Sequence, residues 1–306
     1  MKQNVALVLS SGGARGMAHI GVIEELLRRG YNITSIAGSS IGAVIGGAYA
    51  AGVLEQYKEW VCNFNKMEII KLMDFIVSRN GFIRGEKALM EMKKFFPDIP
   101  IEKLPIPLAI VGADITHHTQ LVFREGSLYD AMRASISIPS VFTPFIKDGA
   151  EIVDGGVINP FPVDVIDRQK GDLLVAVNLN YPGKYDPPEH FLEKTYDANG
   201  YARIKEFINE KWSAFFANKP EAKPTESHAK VKKLGFFDLI TQSLWVLQEK
   251  ITEMYLEQYS PDVVVNISRY SSDTFGFHRS RELIEYGRRE AAKALDAIEA
   301  RQRKGA

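Results

Sequence analysis

The chain has 306 residues, 45% apolar and 25% charged, ordinary proportions for a folded protein that exclude wholesale disorder. Lysine plus arginine equals aspartate plus glutamate at 38 each, giving a net charge of zero. No global field therefore draws it to nucleic acid or an anionic membrane. The single cysteine, Cys62, excludes an intrachain disulfide framework and a multi-cysteine metal cage, and fits a reducing cytosol.

In chain order, Val5 to Leu9 reads as a buried strand, too brief to be a signal-peptide core. Met17 to Arg29 reads as a helix with Ile20, Ile23, Leu26 and Leu27 on its apolar face, stopped by Gly30. Ile33 to Ala37 is a second strand, and Ile41 to Ala51 a second helix. The stretch Gly30 to Leu54 is uncharged and long enough to cross a bilayer. Its six glycines and its serines, threonine and asparagine suit a buried strand, turn and helix better. Leu54 to Phe96 reads as mostly helical. Pro105–Ala113 and Thr119–Arg124 are further strands, followed by a helix over Leu128–Ile138 that Ser127 caps with Asp130. Ile152–Val153, Leu173–Asn178 and Val263–Ile267 read as strands, and Phe236–Tyr259 and Arg281–Gln302 as helices. Alternating strands and helices predict an α/β fold with a mostly parallel central sheet flanked by helices. We expect a single catalytic domain over 1–306. It carries a polar, partly helical and partly flexible insertion over 181–235, a candidate lid, whose Trp212, Phe215 and Phe216 cluster.

Chemistry concentrates in three loops. Gly38-Ser39-Ser40-Ile41-Gly42 is a G-x-S-x-G at a strand-to-helix turn. Small neighbours let the turn present the Ser40 hydroxyl, and the next helix aims its N-terminus at developing negative charge. Ser10-Ser11-Gly12-Gly13-Ala14-Arg15-Gly16 links another strand to a helix and exposes backbone N–H groups that suit a phosphate or an oxyanion. It lacks the Gly-Lys-Ser/Thr of a nucleotide-binding P-loop. A dinucleotide fingerprint would need glycine where Ser11 stands, so the oxyanion reading gains. Asp154-Gly155-Gly156 follows a strand, and alone it reads as a tight turn.

Together, and with Ala134-Ser135-Ile136-Ser137-Ile138-Pro139, these stretches resemble the patatin-like phospholipase family from Leu7 to about Val177. The resemblance implies a patatin-like fold and metal-free hydrolysis of lipid acyl esters, phospholipid or lysophospholipid, by a serine–aspartate dyad. Ser40 is then the nucleophile and Asp154 the base. Gly12, Gly13 and Ala14 are then the oxyanion donors, supported by Arg15, Gly16, Gly38, Gly42, Gly155 and Gly156. The family loop usually opens with three glycines; here the first is Ser11. No cofactor is implied. The expected partner is a lipid or acyl ester met transiently at a membrane surface by a cytoplasmic protein. Two other readings stay open: a serine esterase completed by His278, and a lipid-binding protein of the same fold without turnover. Arg15 is expected to brace its loop, Ser135 and Ser137 to serve packing or capping, and Asp114 to serve a turn. His117 and His118 lack acids at metal-binding spacing, and His19 belongs to the first helix.

Overall fold

The computed structural model describes residues 3–65, 67–69, 86–96, 99–139, 141–191 and 236–305. The chain opens as expected, with β1 (Asn4–Leu9), α1 (Met17–Arg28), β2 (Asn32–Ser39) and α2 (Ile41–Ala50). Next come α3 (Leu54–Cys62), α4 (Glu86–Lys93), β3 (Leu108–Asp114), β4 (Thr119–Phe123) and α5 (Leu128–Ser135). The remainder is β5 (Phe145–Lys147), β6 (Ala150–Asp154), β7 (Leu173–Tyr181), α6 (Phe236–Tyr259), β8 (Val263–Ser268) and α7 (Ser280–Gly305). β5 was not expected; its Phe-Ile-Lys is too short to show a period. α5 ends three residues before the predicted Ile138. Most of the expected insertion, 192–235, lies outside the described residues, with its Trp212, Phe215 and Phe216.

The eight strands form one sheet in which β3, β2, β1, β7 and β8 run parallel and β4, β5 and β6 run antiparallel to their neighbours. β1 is apolar throughout because both its faces are covered. Val5, Leu7 and Leu9 join the larger core with α1, α2, α5 and α7, while Ala6 and Val8 join a smaller one with Phe161, Val163 and α6 residues Tyr255 and Leu256. α1 and α7 touch backbone to backbone. An added Cβ on Gly21 would sit 1.9 Å from Ile284 O, and one on Gly287 2.1 Å from Ala18 O. The α1 periodicity needs one correction. Leu27 is exposed, whereas Glu25 is buried and ion-paired with Arg28 and Arg29, since adjacent helical positions turn about 100° apart.

One feature of the register positions the site. β4 pairs with β3 from Ile110 to Asp114, so it overlaps both β2, on β3 up to Val111, and β6, on β3 from Gly112 onward. β2 and β6 therefore share the other edge of β3 and approach each other head to head. Ser39 lies opposite Val111, and Asp154 lies opposite the very next residue, Gly112. The end of one strand and the end of the other meet at a single point.

Candidate active site

Ser40 is the first residue past the β2 ladder and the N-cap of α2, with φ 55° and ψ −125°. A non-glycine residue at positive φ stores about 1–3 kcal/mol of strain. Here the surroundings hold it. The Ser40 carbonyl accepts the Ala43 N–H at 2.9 Å, and the Ser40 N–H donates to Ser135 Oγ at 2.9 Å. The turn aims the hydroxyl at β6, and Ser40 Oγ donates to Asp154 Oδ2 at 2.5 Å. The positive end of α2 lies at the same residue.

Asp154 ends β6 and is 4% exposed. Its second oxygen, Oδ1, accepts the Gly156 N–H at 2.7 Å, and its own N–H donates to Ser137 O at 3.0 Å. The Asp-Gly-Gly turn thus also serves the carboxylate. Burial raises the Asp154 carboxyl from its ordinary 3.8 to about 7, against the lowering effect of the Ser40 and Gly156 hydrogen bonds. Among the described residues no histidine contributes to that environment.

The glycine loop hangs beside this pair. Ser10 N–H reaches Val177 O on β7 at 3.3 Å, and Ser11 N–H reaches Pro160 O at 2.8 Å. Ser11 has no positive φ, whereas Gly13 does, at 58°. The missing first glycine therefore costs the loop no backbone conformation. An added Cβ on Gly13 would meet Thr274 O at 2.7 Å. The expectation for Ala14 changes. Its N–H donates to Thr274 O at 2.8 Å and is engaged, while among the described residues no hydrogen bond uses the Gly12 or Gly13 N–H.

Arg15 points away from the loop into the protein. It is 3% exposed, donates from Nη2 to Asn180 Oδ1 at 3.2 Å, and stacks over Trp245 with its guanidinium carbon 5.7 Å from the ring centre. Burial lowers its pKa to about 10, with Asp273 opposing and Arg269 reinforcing the change. His19 is fully buried, pairs through Nε2 with Ser10 O at 2.9 Å, and is lowered by burial to about 4, so it is neutral. Asp114 is a turn residue that accepts the Thr116 and His117 N–H groups at 2.9 Å each. Gly16, Gly38, Gly42 and Gly155 each lie against neighbouring atoms where a Cβ would collide.

Two clefts meet at Ser40 and Gly13. One is apolar, walled by Val44, Tyr57, Trp60, Phe64, Met92 and Phe142. The other carries polar groups, among them Ser11, Arg15, Asp154 and, from α6, Thr241 and Gln248. Gln248 Nε2 donates to Gly156 O at 3.0 Å, so α6 is fastened to the turn that holds Asp154. Sequence reasoning missed Gln248, Trp245 and Thr274. The available signal was the uncharged run Leu239 to Gln248, too long for a purely solvent-facing helix. Among the described residues no histidine lines either cleft. His278 sits in a short helical turn, Phe277–Arg279, that gives the apolar cleft Phe277 instead. Among the described residues no cluster of histidine, cysteine or acid side chains could hold a metal, and no helix is long and apolar enough to cross a membrane.

Fold and site together define an α/β protein whose strand-to-helix serine touches a buried carboxylate directly. The family model for patatin-like phospholipase matches residues 7–167. An uncharacterized NTE family protein of Mycobacterium tuberculosis is 32% identical over 96% of this chain and 92% of its own length. Mouse patatin-like phospholipase domain-containing protein 6 is 30% identical over 60% of this chain and 14% of its own length. Among solved structures, VipD from Legionella pneumophila aligns over 97% of this chain and 67% of that one, with a TM-score of 0.46 and 13% identity. The chain belongs to the patatin-like phospholipase family. That membership supports a lipid-ester hydrolase.

Proposed function

We propose that this chain hydrolyses acyl esters of phospholipids or lysophospholipids through a serine-linked acyl-enzyme, within one catalytic domain. Ser40 Oγ attacks the ester carbonyl as its proton passes to Asp154 Oδ2. The carbonyl oxygen becomes an oxyanion, which the Gly12 and Gly13 N–H groups receive. Collapse breaks the ester bond, and the leaving alcohol takes the proton from Asp154. Water then attacks the acyl-enzyme, again giving a proton to Asp154, and the acid product leaves as Ser40 regains its hydrogen. The observation that carries this reading is the 2.5 Å contact between Ser40 and a buried carboxyl raised to about 7, which makes Asp154 a base suited to neutral pH.

The clefts suit the two halves of such a substrate. The acyl chain occupies the apolar cleft, and the alcohol with its polar head lies in the cleft roofed by α6. Leu239, Val246 and Leu247 are exposed on the outer side of that roof, which fits transient contact with a lipid surface. Among the described residues no histidine reaches the pair, which gives a Ser–Asp–His triad no geometric support there.

The test is intact mass after fluorophosphonate treatment, together with release of fatty acid from lysophospholipid. Wild type should gain one adduct and turn over. Ser40→Ala should do neither, and Asp154→Ala should lose turnover. Folded wild type with neither adduct nor turnover would refute the reading.

A further inference from the structure

The exit of α5 reaches both members of the pair. Ser135 Oγ accepts the Ser40 N–H at 2.9 Å and donates onward to Val111 O at 2.6 Å. Two residues later, Ser137 O accepts the Asp154 N–H at 3.0 Å. Ser135 and Ser137 are both fully buried.

The two serines use their hydroxyls differently. Ser137 Oγ donates to Arg133 O at 2.9 Å, one turn back in its own chain, the common habit of a helical serine. It also accepts from Arg133 Nη1 at 2.5 Å, and Arg133 Nη2 reaches Thr143 O at 2.9 Å. The carbonyl that receives Asp154 is thus on a braced residue. Ser135 does not bond back along its helix. It donates across to β3, at the register partner of Ser39.

That choice matters because of how the pair is built. β2 and β6 meet head to head and share only the edge of β3. Ser40 lies one residue beyond the last β2 rung, in a conformation that an L-residue rarely adopts. We propose that Ser135 is a positioning residue whose hydroxyl ties the Ser40 main chain to β3. With Ser137 O holding Asp154, the segment Ser135-Ile136-Ser137 is a bracket that sets the separation of Oγ from Oδ2. The inference rests on the roles proposed above for Ser40 and Asp154. It adds that a group outside the reacting atoms fixes their distance.

Removing the Ser135 hydroxyl leaves a buried N–H without an acceptor and frees the strained turn to relax. Near-attack geometry is lost with displacements of about 1 Å, which can cost on the order of 100-fold in rate. The experiment compares wild type, Ser135→Ala and Ser35→Ala. Ser35 Oγ is a buried hydroxyl with no hydrogen-bond partner among the described residues, on the same strand as the turn, so its removal controls for hydroxyl deletion alone. Each protein is assayed for kcat and KM on a soluble ester and for amide exchange at Ser40 by NMR.

The expected result is a kcat for Ser135→Ala roughly 10- to 100-fold lower with KM nearly unchanged, as for an interaction that acts in the transition state. Ser40 amide exchange should be slow in wild type and in Ser35→Ala, and fast in Ser135→Ala. A wild-type kcat in Ser135→Ala, or an equal loss in Ser35→Ala, would overturn the proposal. So would fast Ser40 exchange in wild type, a result that needs no variant to fold. If wild type turns over no ester, the proposed function falls, and slow or fast exchange still decides the tie.

Discussion

Asp154→Asn should make this protein more stable at alkaline pH while abolishing its turnover. The side chain keeps its shape and both its bonds. The amide oxygen can accept from Gly156 N–H, and the amide nitrogen can donate to Ser40 Oγ, replacing contacts of 2.7 and 2.5 Å. What disappears is a buried charge. Burial lifts the carboxyl from 3.8 to about 7, and at about 1.4 kcal/mol per pH unit the ionised form costs the fold about 4 kcal/mol. The folded carboxyl holds its proton more tightly than the unfolded one. The stability that protonation contributes is therefore complete below about pH 4 and is lost as pH rises through about 7. Urea unfolding of wild type and Asp154→Asn at pH 4, 6 and 9 measures the gap directly. The variant should lead by about 4 kcal/mol at pH 9, and the lead should close toward pH 4. Pairing each variant with wild type at the same pH cancels the surface carboxylates. A gap that does not change with pH, or a less stable variant at pH 9, would refute the reasoning.

Four further outcomes are expected. In wild type, log(kcat/KM) for a neutral ester should fall with unit slope below about pH 7 as Asp154 gains its proton, and a pH–rate profile checks the midpoint. Ser40→Gly and Ser40→Ala should both lose turnover, but the glycine variant should be about 1–2 kcal/mol more stable in urea because it suits φ 55°. Gly21→Ala should lower stability by roughly 1–3 kcal/mol although alanine is the better helix former, since its Cβ would enter the Ile284 carbonyl; denaturation of the purified variant reads this. His278→Ala should keep kcat/KM within about three-fold of wild type, and a loss matching Ser40→Ala would restore the triad.

Local patterns made the N-terminal strands and helices legible. β1, α1, β2 and α2 are each an apolar run or an apolar-faced stretch closed by a glycine or serine, so their bounds fall within two residues of expectation. The Ser40 turn was readable because the strand before it and the helix after it are both unambiguous. Asp154 was not readable from its own neighbourhood. An Asp-Gly-Gly after a strand is a turn by any local rule, and only the resemblance linked it to Ser40. The link is a matter of register, Ser39 opposite Val111 and Asp154 opposite Gly112, which no local window contains. Ala14 failed in the opposite way. The loop's amides look equivalent in sequence, but Thr274, 260 positions away, claims one of them. Ser135 was expected to serve packing or capping, and its bond to Ser40 N–H crosses 95 positions.

On the mechanism proposed above, the head-to-head strands also explain how a pair can suffice where a triad is common. In a triad the imidazole spans the gap between hydroxyl and carboxylate and supplies a base with a pKa near 6.5. Here β6 runs antiparallel to β3 and stops where β2 stops, so the carboxylate arrives at Oγ and no gap remains to be spanned. The basicity still has to come from somewhere, since an ordinary aspartate at 3.8 is a poor proton acceptor at neutral pH. Burial supplies it. At about 7, Asp154 has the proton affinity of a histidine. The proposed mechanism thus trades a third residue for desolvation of the second, and the stability that Asp154→Asn should recover at alkaline pH is the measure of that trade.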